Sequence, residues 1–98
     1  MSKKERITAI VFDAINEVNQ KMPSEKQISR SLDTTLLGPL SEVDSLGLTF
    51  LIVATEKKIN EEFQGQLTLA AEDIMVFENS PFRTVKTLIE YIIRYLEK

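Results

Sequence analysis

The chain has 98 residues, of which 43% are hydrophobic and 28% are charged, and its formal net charge at pH 7 is −3. This length and this balance predict one soluble globular domain over residues 1–98, with a single modest core. The sequence contains no cysteine and no histidine. Disulfides, thiolate nucleophiles, zinc fingers and serine–histidine triads are therefore excluded, and we expect no catalysis by this chain alone.

The charge is unevenly distributed along the chain. Residues 31–80 contain nine acids and two bases, whereas both flanking segments are net positive. An acidic middle disfavours nucleic acid as a partner and favours proteins that carry basic patches. No apolar run approaches the roughly 18 residues that span a membrane. The basic N-terminus precedes an amphipathic pattern rather than an apolar block, so we expect a cytoplasmic location.

An amphipathic first helix is predicted over residues 3–20. Ser2 and Glu5 have the spacing of a capping box, in which each residue pairs with a free N–H group of the first turn. Apolar residues then recur at helical spacing, namely Ile7, Ile10, Val11, Ala14, Ile15 and Val18. Pro23 ends the pattern because proline cannot continue the helical hydrogen bonds.

A connection of about twenty residues, 21–43, follows the first helix and has no sustained period. A loop of this length in a small domain is usually functional or packed by its own side chains. We expect it to lie across the bundle, with a short helical turn near 25–30. Its predicted anchors are Ile28, Leu32, Leu36, Leu37 and Leu40.

The stretch 42–63 predicts a helix with two apolar stripes, with Asp44 or Ser45 as its cap. At about 100° per residue, one stripe contains Leu48, Leu51, Ile52, Thr55, Ile59 and Glu62. The second contains Leu46, Phe50 and Val53, which lie within about 60° of one another. The second stripe has two interpretations: the helix is central and buried on several sides, or the stripe is a docking surface.

The last third of the chain predicts two more helices. Thr68 is a suitable cap for a short helix over about 70–77, and Asn79-Ser80-Pro81 ends it. Thr84 is a suitable cap for a last helix with an apolar stripe to the C-terminus, made of Val85, Leu88, Ile89, Ile92, Ile93 and Leu96. The predicted fold is all-α: a four-helix bundle with a long first loop and a short third helix.

The tripeptide Asp44-Ser45-Leu46, followed by an apolar helix and Glu56, resembles the attachment motif of the acyl carrier and peptidyl carrier proteins. The preceding Leu36-Leu37-Gly38-Pro39-Leu40 is similar to that segment in small stand-alone members. The resemblance implies a bundle of the acyl-carrier-protein type in which Ser45 carries a 4'-phosphopantetheine arm. It also implies that Asp44 belongs to the motif read by the phosphopantetheinyl transferase.

The same resemblance implies how such a carrier acts. Its cargo is an acyl or aminoacyl group, bound as a thioester to the arm and loaded by a separate ligase. A downstream transferase or synthase of a dedicated biosynthetic pathway then receives the cargo. The carrier is a monomer and performs no catalysis. The plain alternative for Ser45 is that it only caps a helix, as most serines at this position do.

The resemblance also implies a face presented to partner enzymes, formed by Leu46, Thr49, Phe50, Val53, Glu56 and Lys57. Fatty-acid carriers have acids just after the serine, whereas this chain has Gly47 and Phe50. We therefore expect partners that bury an exposed aromatic anchor. A rival interpretation is an unmodified helical interaction module that binds a partner helix through Leu46, Phe50 and Val53. A hydrolase using Ser45 comes last, because the chain has no histidine.

Overall fold

In the part of the chain that the computed structural model describes, three α-helices and one short 3₁₀ turn form the regular secondary structure. This part comprises residues 2–36, 43, 45–65, 67 and 83–97, and for Ser45 the backbone alone. The helices are α1 (Lys3–Lys21), α2 (Ser45–Phe63) and α3 (Val85–Leu96), and the 3₁₀ turn is Ser24–Lys26. Helix α1 packs against both α2 and α3. The Cα radius of gyration is 12.5 Å, close to the roughly 13 Å expected of a folded domain of this length.

The N-terminus of α1 is capped as predicted, by the side chain of Ser2. Its hydroxyl oxygen accepts a hydrogen bond from the backbone N–H of Glu5 at 3.1 Å. The carboxylate of Glu5 accepts from the Ser2 hydroxyl at 3.2 Å, rather than from the cap's own backbone N–H as in a complete capping box. Helix α1 ends at Lys21, just before Met22 and Pro23, so the predicted end is correct within one residue.

Helices α1 and α2 run antiparallel. Arg6, near the start of α1, forms a salt bridge with Glu62 near the end of α2. At the other end of the pair, the Lys21 ammonium lies over the ring of Phe50. These two contacts show the register in which the apolar stripes of the two helices meet.

The first loop reaches the start of α3 and supplies hydrogen-bond acceptors there. The backbone N–H groups of Val85 and Lys86 donate to the carbonyl oxygens of Thr34 and Leu32, each at 3.0 Å. Such first-turn donors have no partner inside their own helix. The described part of the loop, up to residue 36, therefore lies across the bundle, as predicted. The short helical turn expected near 25–30 is the 3₁₀ turn at Ser24–Lys26.

Two asparagine side chains each form a pair of hydrogen bonds with the backbone of a buried residue that follows their helix. The Asn19 amide donates to the carbonyl of Ile28 at 2.9 Å and accepts from its N–H at 2.7 Å. Asn60 does the same for Leu67, at 3.1 and 2.8 Å. Both clamped residues, Ile28 and Leu67, are buried. The described core also contains Ile7, Val11, Ala14, Ile15, Val18, Leu36, Leu48, Leu51, Ile52, Ile59, Val85, Leu88, Ile89 and Ile92.

Helix α3 agrees with its prediction. The Thr84 hydroxyl accepts from the backbone N–H of Thr87 at 3.1 Å, and the Thr87 hydroxyl accepts from the backbone N–H of Thr84 at 3.0 Å. This reciprocal pair is a capping box built from two threonines. The first four members of the predicted stripe are buried, and Ile93 and Leu96 are partly buried against the core.

Some predictions need correction. The described residues contain three α-helices rather than four, and the short helix predicted over 70–77, with its cap Thr68, lies outside them. Leu37 and Leu40 also lie outside. Leu32 was predicted to anchor the first loop through its side chain, but the residue is 43% exposed, and its contact with α3 is made by its backbone carbonyl. After α2, Gln64 adopts the left-handed conformation, with a φ of 52°.

Candidate attachment site and partner face

The candidate attachment residue is at the start of α2, since the helix begins at Ser45. The first turn contains no acidic side chain, so no carboxylate within that turn competes for its free N–H groups. Asp44, the other candidate for the cap and for the attachment motif, lies outside the described residues.

Gly47 lies in the first turn of α2 and is buried. A Cβ atom added there would meet the Met22 Cε at 3.7 Å and a Val43 Cγ at 4.0 Å. Both distances are ordinary van der Waals contacts, so these neighbours do not require a glycine. The end of α1 and the residue before Asp44 thus close one side of this turn.

The predicted division of α2 into two faces agrees with the burial of its side chains. Leu48, Leu51, Ile52, Thr55 and Ile59 are all buried. On the opposite face, Leu46 is 54% exposed and Val53 is 56% exposed. Glu62 was placed on the buried stripe but is substantially exposed, because its carboxylate pairs with Arg6 at the surface.

Phe50 differs from its prediction as an exposed aromatic residue. It is only partly exposed, and its ring packs against the core. The Lys21 ammonium lies 5.6 Å from the ring centroid, within the range of a cation–π interaction. The cause is the antiparallel packing of α1, which brings its last turn over the first turns of α2. The ring of Phe50 therefore packs against the core and is also partly accessible to solvent.

The other members of the predicted partner face are spread around α2. Thr49 and Lys57 are exposed, and Glu56 is partly buried. Lys57 shares the face of Leu46 and Val53. Glu56 does not, because it lies about 80° from Leu46 in helical projection. Lys57 forms no ion pair with any residue in the described ranges. The predicted set therefore divides into an exposed face with Leu46, Val53 and Lys57, and a partly buried Glu56 to one side of it.

A groove with a volume of about 500 Å³ lies between α1 and α2. Four members of the predicted partner face line it: Thr49, Phe50, Val53 and Lys57. The remaining lining residues come from both helices and are Glu17, Val18, Lys21, Ala54, Lys58 and Glu61. Leu46 and Glu56 are not among them. The volume lies in the range typical of small-molecule pockets.

One side of the groove is stabilised by ion pairs between the two helices. The Lys58 ammonium lies 3.1 Å from the Asp13 carboxylate and 3.3 Å from that of Glu17. The hydrogen bond to Asp13 is the main cause that raises the pKa of Lys58 above its ordinary value. Burial lowers this pKa, and the contact with Glu17 raises it further. Lys58 is therefore engaged within the domain, unlike its neighbour Lys57.

Sequence reasoning missed the contribution of α1 to this site. Asp13, Glu17 and Lys21 lie off the apolar stripe of α1, and nothing in the local sequence indicates what lies opposite them. One signal was present: the three residues are spaced by four, so they form a single charged row along α1. Knowledge that this row borders α2 required the tertiary structure.

Comparisons of the chain with protein-family models, with curated proteins and with solved structures found no match. The likeness to the carrier proteins therefore rests on residues 36–63 and 80–96 of the sequence alone. Within the described ranges, no helix is both long and apolar enough to cross a membrane. The same ranges contain no cluster of acidic side chains arranged to hold a metal ion.

Proposed function

We propose that this chain is a discrete carrier protein that holds an acyl or aminoacyl group as a thioester on a 4'-phosphopantetheine arm at Ser45. The observation that carries the proposal is the position of Ser45 as the first residue of α2, after a long first loop. The Asp44-Ser45-Leu46 motif resembles the attachment motif of carrier proteins, and this resemblance suggests that the serine carries the arm. The cofactor supplies the thiol, which the sequence lacks.

The first turn of α2 is suited to the linkage. A phosphodiester on the serine hydroxyl carries a negative charge, which free N–H groups and the helix dipole stabilise at a helix N-terminus. The first turn itself contains no acidic side chain. The role of Ser45 is to provide the oxygen of the linkage, and that of the first turn is to stabilise its charge.

The face next to Ser45 supports a role in delivery. Leu46 and Val53 are two large apolar side chains that are more than half exposed. Exposed apolar residues that lie together on one helix face are typical of protein-binding surfaces. In the proposal, this face docks on the transferase, the loading ligase and the downstream enzyme in turn, because each must approach the same arm.

The test is enzymatic modification of the purified chain. The protein is incubated with coenzyme A and a broad-specificity phosphopantetheinyl transferase, and its intact mass is measured. We expect a gain of one arm, which is absent in Ser45→Ala and retained in Ser24→Ala, a matched change at an exposed serine of the 3₁₀ turn. No gain under conditions that modify a known carrier would contradict the proposal.

A second candidate function is an unmodified interaction module that binds a partner helix through Leu46, Phe50 and Val53. The groove between α1 and α2 favours it, since two of these residues line that groove and an apolar groove between helices accommodates a third helix. The same experiment separates the two candidates. An interaction module stays unmodified, and its binding does not depend on the hydroxyl of Ser45.

A further inference from the structure

The described part of the first loop contributes few side chains to the core. Of residues 23–36, only Ile28 and Leu36 are buried, and residues 29–33 are all exposed. The segment 28–36, which we call the strap, is therefore buried mainly at its two ends. A segment with so few buried apolar contacts opens at a lower free energy than the core of its domain.

Hydrogen bonds attach the two ends of the strap to different helices. At the first end, the Asn19 side chain of α1 donates to the Ile28 carbonyl at 2.9 Å and accepts from the Ile28 N–H at 2.7 Å. At the second end, the Leu36 N–H donates to the Arg83 carbonyl at 2.8 Å. The strap also accepts hydrogen bonds from the first two N–H groups of α3. It therefore connects the end of α1 to the start of α3.

Hydrogen bonds inside the strap hold its exposed part together. The Thr34 hydroxyl donates to the Ser29 carbonyl at 2.9 Å, and the Thr34 N–H donates to the Ser31 carbonyl at 3.2 Å. The Asp33 N–H donates to the Ser31 hydroxyl, also at 3.2 Å. These bonds join neighbours within the strap and involve no helix, so separation of the strap from the helices does not break them. The two ends are therefore linked by a segment with its own structure.

We propose that the strap opens as one cooperative unit while the helices stay folded, and that Asn19 holds it closed. Opening breaks the hydrogen bonds at both ends together, although one end lies on α1 and the other on α3. It uncovers the side chains of Ile28 and Leu36 and the first two N–H groups of α3. This conformational device goes beyond the proposed function and does not rest on Ser45, so the two proposals can fail separately.

The test is amide hydrogen exchange of the full chain, followed by NMR at a series of urea concentrations below the unfolding transition. The reporters are the amides of Leu36, Val85 and Lys86, because each forms a hydrogen bond between the strap and the start of α3. The amide of Leu51, in the middle of α2, reports unfolding of the whole domain. The Ile28 amide is not a reporter, because it donates to Asn19 itself.

We expect the three reporters to share one protection factor that changes little with urea, because opening of the strap exposes little surface. The Leu51 amide should instead show the steep urea dependence of global unfolding. The proposal is wrong if the reporters have that same steep dependence, since they then open only with the whole domain. It is also wrong if the protection factors of the reporters differ from one another, since the strap is then not a unit.

The Thr87 amide distinguishes opening of the strap from fraying of α3. This amide donates to the Thr84 hydroxyl, which belongs to the cap of the helix itself, so opening of the strap does not release it. We expect stronger protection at Thr87 than at Val85 and Lys86. Equal protection at the three positions would show that the end of α3 frays, and the proposal would fail.

Two matched variants test the role of Asn19. Asn19→Ala removes both hydrogen bonds to Ile28 and should speed exchange of the three reporters by about tenfold or more, because two backbone groups of a buried residue lose their partners. Asn60→Ala removes the equivalent pair of bonds to Leu67. It destabilises the whole domain, but it should leave exchange of the reporters unchanged, because the strap opens without global unfolding.

Two outcomes of this comparison would contradict the proposal. Equal acceleration in both variants would mean that the reporters exchange only through global unfolding. Unchanged exchange in Asn19→Ala would mean that Asn19 does not hold the strap closed. The urea series on the unaltered chain needs no variant, so it decides the question of cooperative opening even if Asn19→Ala folds poorly.

Discussion

Replacement of Thr55 by valine should stabilise the protein. Thr55 lies on the buried stripe of α2, one turn from Leu51 and one turn from Ile59, and all three side chains are inaccessible to solvent. Its hydroxyl has no hydrogen-bond partner among the described residues. A polar group that is removed from water without a partner costs about 1–3 kcal/mol. Valine keeps the branched shape of threonine and removes that cost.

The expected gain in the free energy of unfolding is about 1–2 kcal/mol, the lower part of that range, because some relaxation around the hydroxyl is ordinary. Helix propensity adds little, since threonine and valine are nearly equal on that scale. For a domain of this size, each kcal/mol corresponds to a rise of about 4–8 °C in Tm. The measurement is urea unfolding followed by far-UV circular dichroism, with the slope m compared to confirm that only stability has changed.

Thr8→Val is the matched control. Thr8 also lies in a helix, but it is only partly buried, and its hydroxyl donates to the Lys4 carbonyl at 2.8 Å. Its replacement should change stability by no more than about 0.5 kcal/mol, as is usual for substitutions at the surface. The reasoning is refuted if Thr55→Val lowers stability, since that outcome requires a hydrogen bond to the Thr55 hydroxyl in the folded protein.

Two further predictions concern contacts that hold the bundle together. Asn60→Ala removes both hydrogen bonds to Leu67 and should lower the free energy of unfolding by about 1–3 kcal/mol in urea titrations, because two buried backbone groups lose their partners. Lys58→Gln should lower stability by up to about 1 kcal/mol at neutral pH, the size usual for partly exposed ion pairs. Because folding raises the pKa of Lys58, the stabilisation is complete below the unfolded pKa of about 10.4. It is then lost as the pH rises through the higher folded value.

Each of these predictions has a direct check. Gln27→Ala removes a single hydrogen bond at an exposed position, so it should lower the free energy of unfolding clearly less than Asn60→Ala does. Equal losses of stability would argue against the role of Asn60 in holding Leu67. For Lys58, the difference in stability between parent and variant is followed from pH 8 to above pH 11. A difference that grows with pH would have the wrong sign for a raised pKa.

The positions of the described helices could be read from the sequence. The ends of α1 and α3 depend on groups within a few residues of each other: the Ser2 cap, the break at Pro23 and the Thr84 cap. The division of the apolar residues of α2 into two stripes follows from the helical period, which is a local property. The period left open whether the stripe of Leu46 is buried as well, and the tertiary packing decided that it is exposed.

The composition of the candidate site was only partly predictable. Leu46 and Val53 were correctly placed on an outer face, because each lies opposite the buried stripe. The partial burial of Phe50 was not predicted, since it depends on the position of Lys21, which belongs to α1. The same reason applies to the groove, of which one wall belongs to α1.

The amino-acid sequence by itself determined the periodicity, the caps and the candidate serine at the head of α2, because each depends on neighbours within about one helical turn. Tertiary structure alone decided the pairing of Lys58 with α1, the clamping of Leu67 by Asn60 and the unpartnered hydroxyl of Thr55. Each of these contacts depends on how helices and loops meet in space. That register is set by the packing of whole apolar stripes, and no single residue encodes it.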